Sequence, residues 1–396
     1  MSRRYRYSIT ALALFCVTAA AFSGCLQRET EPEPLSIRGQ RIVVWDAIEP
    51  SFPDVPSYQA SALAVAEDFA REQGVEVEFK FVTRQDIDLY LSEGKAQDGE
   101  EPSLVYSTEW PIMHDEFKDV DKDVDPGRFL DAASSYWTFD GKLFGIPAYI
   151  HWFGTAVDTS LVPGDWTPLS DGDTWTDSVA GKIGFWSDSP AFLSSVMDWP
   201  EVGWTAEKVV SYLKSVKERW GTVPEDPLAA WQDGAVVALS PVTPHLYKWF
   251  NSSSEANMRL FPTVGLLEPA RHYYTVPGYV VLGEDFAKTR CATLLGELLA
   301  QNLGRWATRV LGSVPARIED AALYHLESGF SYEERMTFLG QLETCSLAAP
   351  TPNQCLMRDE VSKVCGRFLR EFLKDDLTDE ELMSGIRDVL QRHTKP

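Results

Sequence analysis

Histidine and cysteine are the scarcest chemistry-bearing residues of this chain, six of each among 396. The histidines show no metal-ligand spacing, no HExxH occurs, and no CxxC pair exists. The ordinary sequence forms of a zinc site are therefore missing. GxSxG, GxGxxG and Walker A patterns are absent too, so the sequence-readable nucleophile elbow, dinucleotide fingerprint and phosphate loop drop out. Lys and Arg number 36 against 59 Asp and Glu, a net charge of −23. Phosphate backbones are gripped by Lys and Arg, so nucleic acid is not an expected partner. After the first 25 residues no apolar run is long enough to span a bilayer. No internal repeat or low-complexity tract interrupts the chain.

What is present begins with a leader. Arg3, Arg4 and Arg6 precede an apolar run over residues 9–22, too short for a comfortable permanent span. The run ends in FSGC, small residues before Cys25. This resembles a bacterial lipobox, in which residues 1–24 are removed and the Cys25 thiol is acylated; an ordinary signal peptide with an incidental cysteine is the other reading. Ser2-Arg3-Arg4 resembles a twin-arginine signal, but Arg6 and Tyr7 stand where that signal needs apolar residues. Residues 25–39 are polar, Glu-rich and Pro-containing, unable to collapse into a core, and read as a flexible tether. Each buried acyl methylene contributes about 0.8 kcal/mol, so the chain is expected to sit on a membrane at the cell envelope without crossing it.

The remainder is globular in composition, 44% hydrophobic, and too long for one comfortable core, which points to two lobes. Cys16 leaves with the leader and Cys25 is the anchor, leaving Cys291, Cys345, Cys355 and Cys365 as disulfide candidates with three formal pairings. A bridge among Cys345, Cys355 and Cys365 would staple the Pro-containing CSLAAPTPNQC loop. Plain buried thiols and, more weakly, a metal site are the alternatives.

The apolar pattern predicts strands at residues 41–45, 75–82 and 103–107, with helices over 60–72 and 85–93 between them. That β-α-β-α-β order implies a parallel sheet covered by helices. A second set follows: strands at 181–186, 235–240, 260–264 and 279–282, and helices over 206–220 and 291–310. Ser331-x-x-Glu334 and Thr378-x-x-Glu381 are capping boxes before helical tails. Between the sets lies DGKLFGIPAYIHW. Asp140-Gly141 is a turn signal, residues 143–146 a short strand broken by Pro147, and residues 149–157 a crossover between lobes.

In this order the segments resemble a substrate-binding protein of a bacterial ABC importer, of the maltose-binding type. PSLVY before a first ligand loop, DGKLFGIPAYIHW leading into a hinge, WQDGAVVALS, YVVL, the long helix and GSVPAR carry the resemblance. It implies an α/β, two-lobed periplasmic-binding-protein-like fold, each lobe a mainly parallel sheet flanked by helices, joined by crossing hinge strands. The expected division is 40–147 plus 275–315 for the first lobe and 150–265 plus 316–396 for the second. It further implies a monomer that takes a small polar solute in its cleft, needs no cofactor and delivers to permease subunits. DGKLFGIP and GSVPAR resemble the sugar-binding members, so a carbohydrate ranks first. Asp173, Trp175 and Asp177 before Gly181 resemble polyamine-binding relatives and keep a cation in view. A sensor with the same cleft, or a glycosidase whose carboxylates pair only in space, remains open.

Sites in open α/β sheets lie at strand carboxyl ends. That rule selects Trp45, Asp46, Glu109, Trp110, His151, Trp152, Trp249, Tyr274 and Tyr279 as ligand-contact candidates, rings for sugar C–H faces and acids for hydroxyls. For each, core packing is the alternative, and His151 reads as a hydrogen-bonded structural residue. Asp119, Asp121, Asp123 and Asp125 suggest a calcium loop, but the sixth and twelfth positions hold Val124 and Leu130, or Pro126 and Ala132, where Gly and Glu are required. A solvated acidic loop is expected instead.

Overall fold

The structure is a computed structural model. It describes residues 36–48, 50, 52–93, 100–107, 117–162, 182–185, 205–220, 226–253, 257–262, 274–344 and 377–393. The leader, Cys25, Glu109, Trp110, Asp173, Trp175, Asp177, Cys345, Cys355 and Cys365 lie outside these residues.

The first lobe starts with β1 (Arg41–Asp46), α1 (Val55–Gln73), β2 (Glu76–Phe81), α2 (Arg84–Glu93) and β3 (Leu104–Ser107). Tyr58, Ala62, Ala66 and Phe69 recur at helical spacing and form the buried stripe of α1. The helix stops at Gly74, whose φ of 66° needs no Cβ and whose N–H closes on the Ala70 carbonyl. At the start of α2, Thr83 N–H donates to Asp86 Oδ2 at 2.8 Å and Asp86 N–H donates to Thr83 Oγ1 at 3.2 Å, a reciprocal cap. β1 pairs in parallel with both β2 and β3.

Next come α3 (Asp131–Trp137), the hairpin β4 (Thr138–Phe139) and β5 (Lys142–Leu143), then β6 (Gly145–Pro147), β7 (Tyr149–Trp152) and β8 (Gly154–Asp158). Asp140 and Gly141 both have positive φ, 49° and 75°, the conformation that a two-residue hairpin turn requires. The single strand expected over 143–146 is two: β5 pairs with β4, whereas β6 joins the first-lobe sheet. Pro147 belongs to β6 and does not break it, because β6 is an edge strand, where a missing N–H interrupts no ladder.

The second lobe contributes β9 (Ile183–Phe185), α4 (Ala206–Trp220), α5 (Pro227–Gln232), β10 (Ala238–Val242), α6 (Pro244–Ser253) and β11 (Met258–Pro262). The chain returns through β12 (Tyr274–Thr275), β13 (Gly278–Val281) and α7 (Phe286–Val310), leaves by β14 (Val314–Pro315), and ends in α8 (Ala321–Glu327), α9 (Tyr332–Thr344) and α10 (Asp379–His393). β10 begins three residues later than the pattern suggests. The Ala235 N–H is taken by the Ala230 carbonyl in the turn that closes α5. Both expected boxes form: Ser331 N–H donates to Glu334 Oε2 at 2.7 Å and Thr378 N–H to Glu381 Oε2 at 2.9 Å.

Sheet order is β2-β1-β3-β13-β6 in the first lobe and β11-β8-β10-β9 in the second. Among the described residues the pairing is mixed, not mainly parallel. β13 runs antiparallel to β3 and β6, and β8 antiparallel to β10 and β11. β13 returns from the opposite direction, and β8 enters straight from β7 with no crossover helix to reverse it. The lobes are joined by a three-stranded unit in which β7 pairs with β12 and β14. β7 is buried along its whole length, which explains the apolar run through this segment.

α7 lies under the first sheet and the crossing strands, burying Leu295, Leu299, Leu303 and Ala307. It approaches so closely that a Cβ on Gly304 would sit 2.4 Å from the Ala148 carbonyl oxygen. At the exit of β14, the buried Arg317 pairs with Glu297 at 2.9 Å and Glu319 at 3.2 Å and covers the Phe129 ring. The helical tail packs on the second lobe, α9 on β11 and α10 on α4, where Arg387 meets Glu207 at 3.0 Å. Among the described residues no helix is long and apolar enough to cross a membrane. Cys291 is a free, buried thiol in α7, so it joins no disulfide.

The close approach makes Gly304→Ala a test of this packing. The variant should lose about 1–3 kcal/mol in urea unfolding, because the added methyl meets backbone that cannot swing aside. A loss below about 0.5 kcal/mol, the usual range for a surface change, would show that α7 is not pressed against the crossing strand.

Candidate functional site

Strand carboxyl ends of both lobes converge on β7. From the first lobe, Phe52 follows β1. From the second, His245 sits in the first turn of α6, just past β10. Alternation along β7 puts Tyr149 and His151 on one side and Trp152 on the other. The Phe52 ring lies edge-on to His245 at 5.2 Å and tilted over His151 at 6.2 Å. The two imidazoles are 6.2 Å apart, and Phe153 closes the group at 5.4 Å from His151. Thr275 of β12 stands opposite His151 in register.

Each imidazole is oriented through Nδ1. His151 shares a hydrogen bond with Ser313 Oγ at 3.1 Å and His245 one with Thr243 Oγ1 at 3.2 Å. No described protein group engages Nε2 of either ring. Burial holds both rings neutral, His151 pushed down to about 3 and His245 to about 4. The seam thus offers two apolar ring faces, two neutral imidazoles and hydroxyls, and among the described residues no carboxylate acts on either imidazole. Such a surface packs against C–H faces and exchanges hydrogen bonds with hydroxyl groups.

The candidates chosen from sequence do not come together in one place. His151 is at the seam. Asp46 and Tyr279 come together inside the first lobe: Asp46 Oδ2 accepts from Tyr58 OH at 2.5 Å and Tyr279 OH at 2.6 Å, and Oδ1 accepts from Ile48 N–H at 3.2 Å. Asp46 is 1% exposed and has three protein donors, so in this arrangement it serves the core. Trp45, on the other face of β1, packs edge-on to Tyr90 of α2 at 5.3 Å. Trp152 points behind the crossing strand and stacks on Phe338 of α9 at 3.3 Å. Tyr274 is buried and donates to the Ala132 carbonyl at 3.3 Å. Trp249, one turn beyond His245 in α6, is 46% exposed beside Phe250.

Sequence reasoning missed Phe52, Phe153 and His245. The strand-end rule could have found His245, which follows β10 more closely than Trp249 does. The acidic ladder is spent on the protein itself. Asp119 meets Lys142 at 3.1 Å, Asp121 accepts from Leu143 N–H at 2.6 Å, Asp123 faces Arg290 at 3.5 Å, and Asp125 accepts from Gly127 N–H at 2.9 Å. Among the described residues no cluster of three or more His, Cys, Asp or Glu could hold a metal ion.

No family model matches the chain, and no curated protein matches it by sequence. Solved structures match it in shape. The sugar-binding protein MalE from Xanthomonas citri gives a TM-score of 0.64 at 15% identity, over 89% of this chain and 98% of that one. A cyclo/maltodextrin-binding protein complexed with maltotetraose gives 0.62 at 16%, over 90% and 97%. An ABC substrate-binding protein from Listeria monocytogenes in complex with cycloalternan gives 0.61 at 14%, over 89% and 98%. The shared feature is the fold, two α/β lobes joined by crossing strands.

The buried carboxylate has a measurable signature. Burial raises the Asp46 pKa and outweighs its three donors, which act to lower it. The folded state therefore holds this proton to higher pH than the unfolded chain does. Asp46 should take stability away as pH rises from about 4 through its folded pKa. Melting temperatures of the native chain and Asp46→Asn, compared from pH 3 to 7, should diverge in that sense. Parallel profiles would contradict it.

Proposed function

We propose that this chain is the lipid-anchored, solute-binding component of a bacterial ABC importer, and that it captures a carbohydrate between its lobes. The observation that carries the reading is the meeting of Phe52, His151 and His245 at the strand ends, one residue from each lobe and one from the crossing strand. Rings accept the C–H faces of a sugar, and neutral imidazole nitrogens pair with its hydroxyls, which cost about 1–3 kcal/mol each if buried unpaired. Sharing a fold with sugar-binding proteins supports the same class of solute.

A cationic solute such as a polyamine is favoured by the net charge of −23. That charge is spread over the whole chain, while the described seam is neutral, so the carbohydrate is the better fit. The protein binds and hands over its solute to permease subunits and does not convert it. The FSGC sequence supports acylation at Cys25 and a place on the outer side of a membrane, the tether giving the lobes freedom to meet a permease. A single chain holds the whole seam, consistent with a monomer.

Calorimetry with maltotetraose and with spermidine tests the solute class. Maltotetraose should bind and remain intact on long incubation, and Phe52→Ala should weaken it about tenfold, as expected for loss of a central ring. Binding of spermidine with no response to maltotetraose would reverse the assignment. Separately, Cys25→Ala should move the protein from the membrane to the soluble fraction, and mass spectrometry should find acyl chains on Cys25 of the native protein. An unmodified Cys25 would remove the anchor from the proposal.

A further inference from the structure

The two histidines at the seam sit on different parts of the fold. His151 belongs to the crossing strand and His245 to the second lobe, and the first-lobe ring of Phe52 touches both. We propose that this pair makes the seam acid-sensitive: with both rings neutral the lobes can meet on Phe52, and protonation of either ring parts them and releases the solute. The inference rests on reading the seam as the solute site.

The surroundings of each ring favour the neutral form. Around His151 stand Tyr149 and Phe153 from its own segment, Thr275 from β12, Ser313 before β14, Phe52 and His245. Around His245 stand Thr243, Phe52 and His151, and its own helix carries Lys248 one turn on. Lys248 is held in place by donation to the Arg309 carbonyl at 3.2 Å. The described neighbours are thus rings, hydroxyls and another imidazole. No described carboxylate stabilises an imidazolium on either ring. A proton on His245 would face a desolvated partner ring.

The direction of the effect follows from burial. In the joined seam His151 is pushed down to about 3 and His245 to about 4. Parted lobes return water to His245 and its pKa towards the ordinary 6.5. The parted state therefore binds more protons between pH 6.5 and 4. The joined state has its full advantage above about pH 6.5 and loses it as pH falls through that window. Linkage for one such histidine, with its pKa returned fully to 6.5, predicts roughly a thirtyfold weaker apparent solute affinity at pH 5 than at pH 7.5.

The test uses the full chain, with a dye pair introduced through keto-bearing amino acids at positions 72 and 208, exposed sites on α1 and α4. Energy transfer should fall between pH 7.5 and pH 5 in the otherwise native chain, and the change should be flattened by His245→Gln. Maltotetraose affinity should fall roughly thirtyfold over the same range and lose that dependence in the His151→Gln/His245→Gln chain. In case the variants fold poorly, ring resonances of the native histidines supply a second measurement: His151 and His245 should titrate well below 6.5. Absence of maltotetraose binding with transfer still pH-dependent would sink the carbohydrate assignment and support the acid-sensitive seam. Transfer that ignores pH, an equal change in His245→Gln, or both histidines titrating near 6.5 would overturn the proposal.

Discussion

The chain has to pass between its lobes three times, and the three passages hydrogen-bond to one another. β7 is the middle strand: Trp152 faces Tyr274 of β12, and Ile150 faces Val314 of β14. Ala148 sits where they meet, its N–H donating to the Pro277 carbonyl and its carbonyl accepting from Ala316 N–H. A strand flanked on both edges and buried on both faces has no room for exposed polar groups, so its side chains are forced to be apolar, aromatic or internally bonded. α7 presses on the same point and needs Gly304 to do so. The position of His151, and with it the whole seam, is a consequence of this junction.

The same junction sorts the aromatic residues. The side of β7 that carries His151 meets Phe52 and His245, while the opposite side carries Trp152 into the packing of Phe330 and Phe338. Inside the first lobe a second polar arrangement joins Asp46, at the end of β1, with Tyr58 and Tyr279. The Tyr58 and Tyr279 oxygens lie 2.9 Å apart with both hydroxyls converging on Asp46 Oδ2, so the two phenols and the carboxylate form a closed set. A buried acid is tolerable there because every donor it needs is protein.

Local structure was largely legible. The boxes at Ser331 and Thr378 and the turn at Asp140-Gly141 rest on contacts within four residues, and each is present. The strand-helix order and the run buried at β7 were legible for a related reason, since periodicity records which faces avoid water. The site was less so. Strand-end position singled out Trp45, Asp46 and Trp152, but one residue along a strand reverses the face, and the partner face was not known. Phe52 gave no periodic signal because it stands in a loop.

By itself, then, the sequence determined most of the elements, their order, the two-lobed α/β class and the acidic composition, because each depends on near neighbours or on composition. Tertiary structure decided which side of β7 faces the seam, that Asp46 is enclosed by Tyr58 and Tyr279, and that Phe52, His151 and His245 meet. Those three residues are separated by some hundred positions each, and only strand pairing across the junction brings them within ring contact.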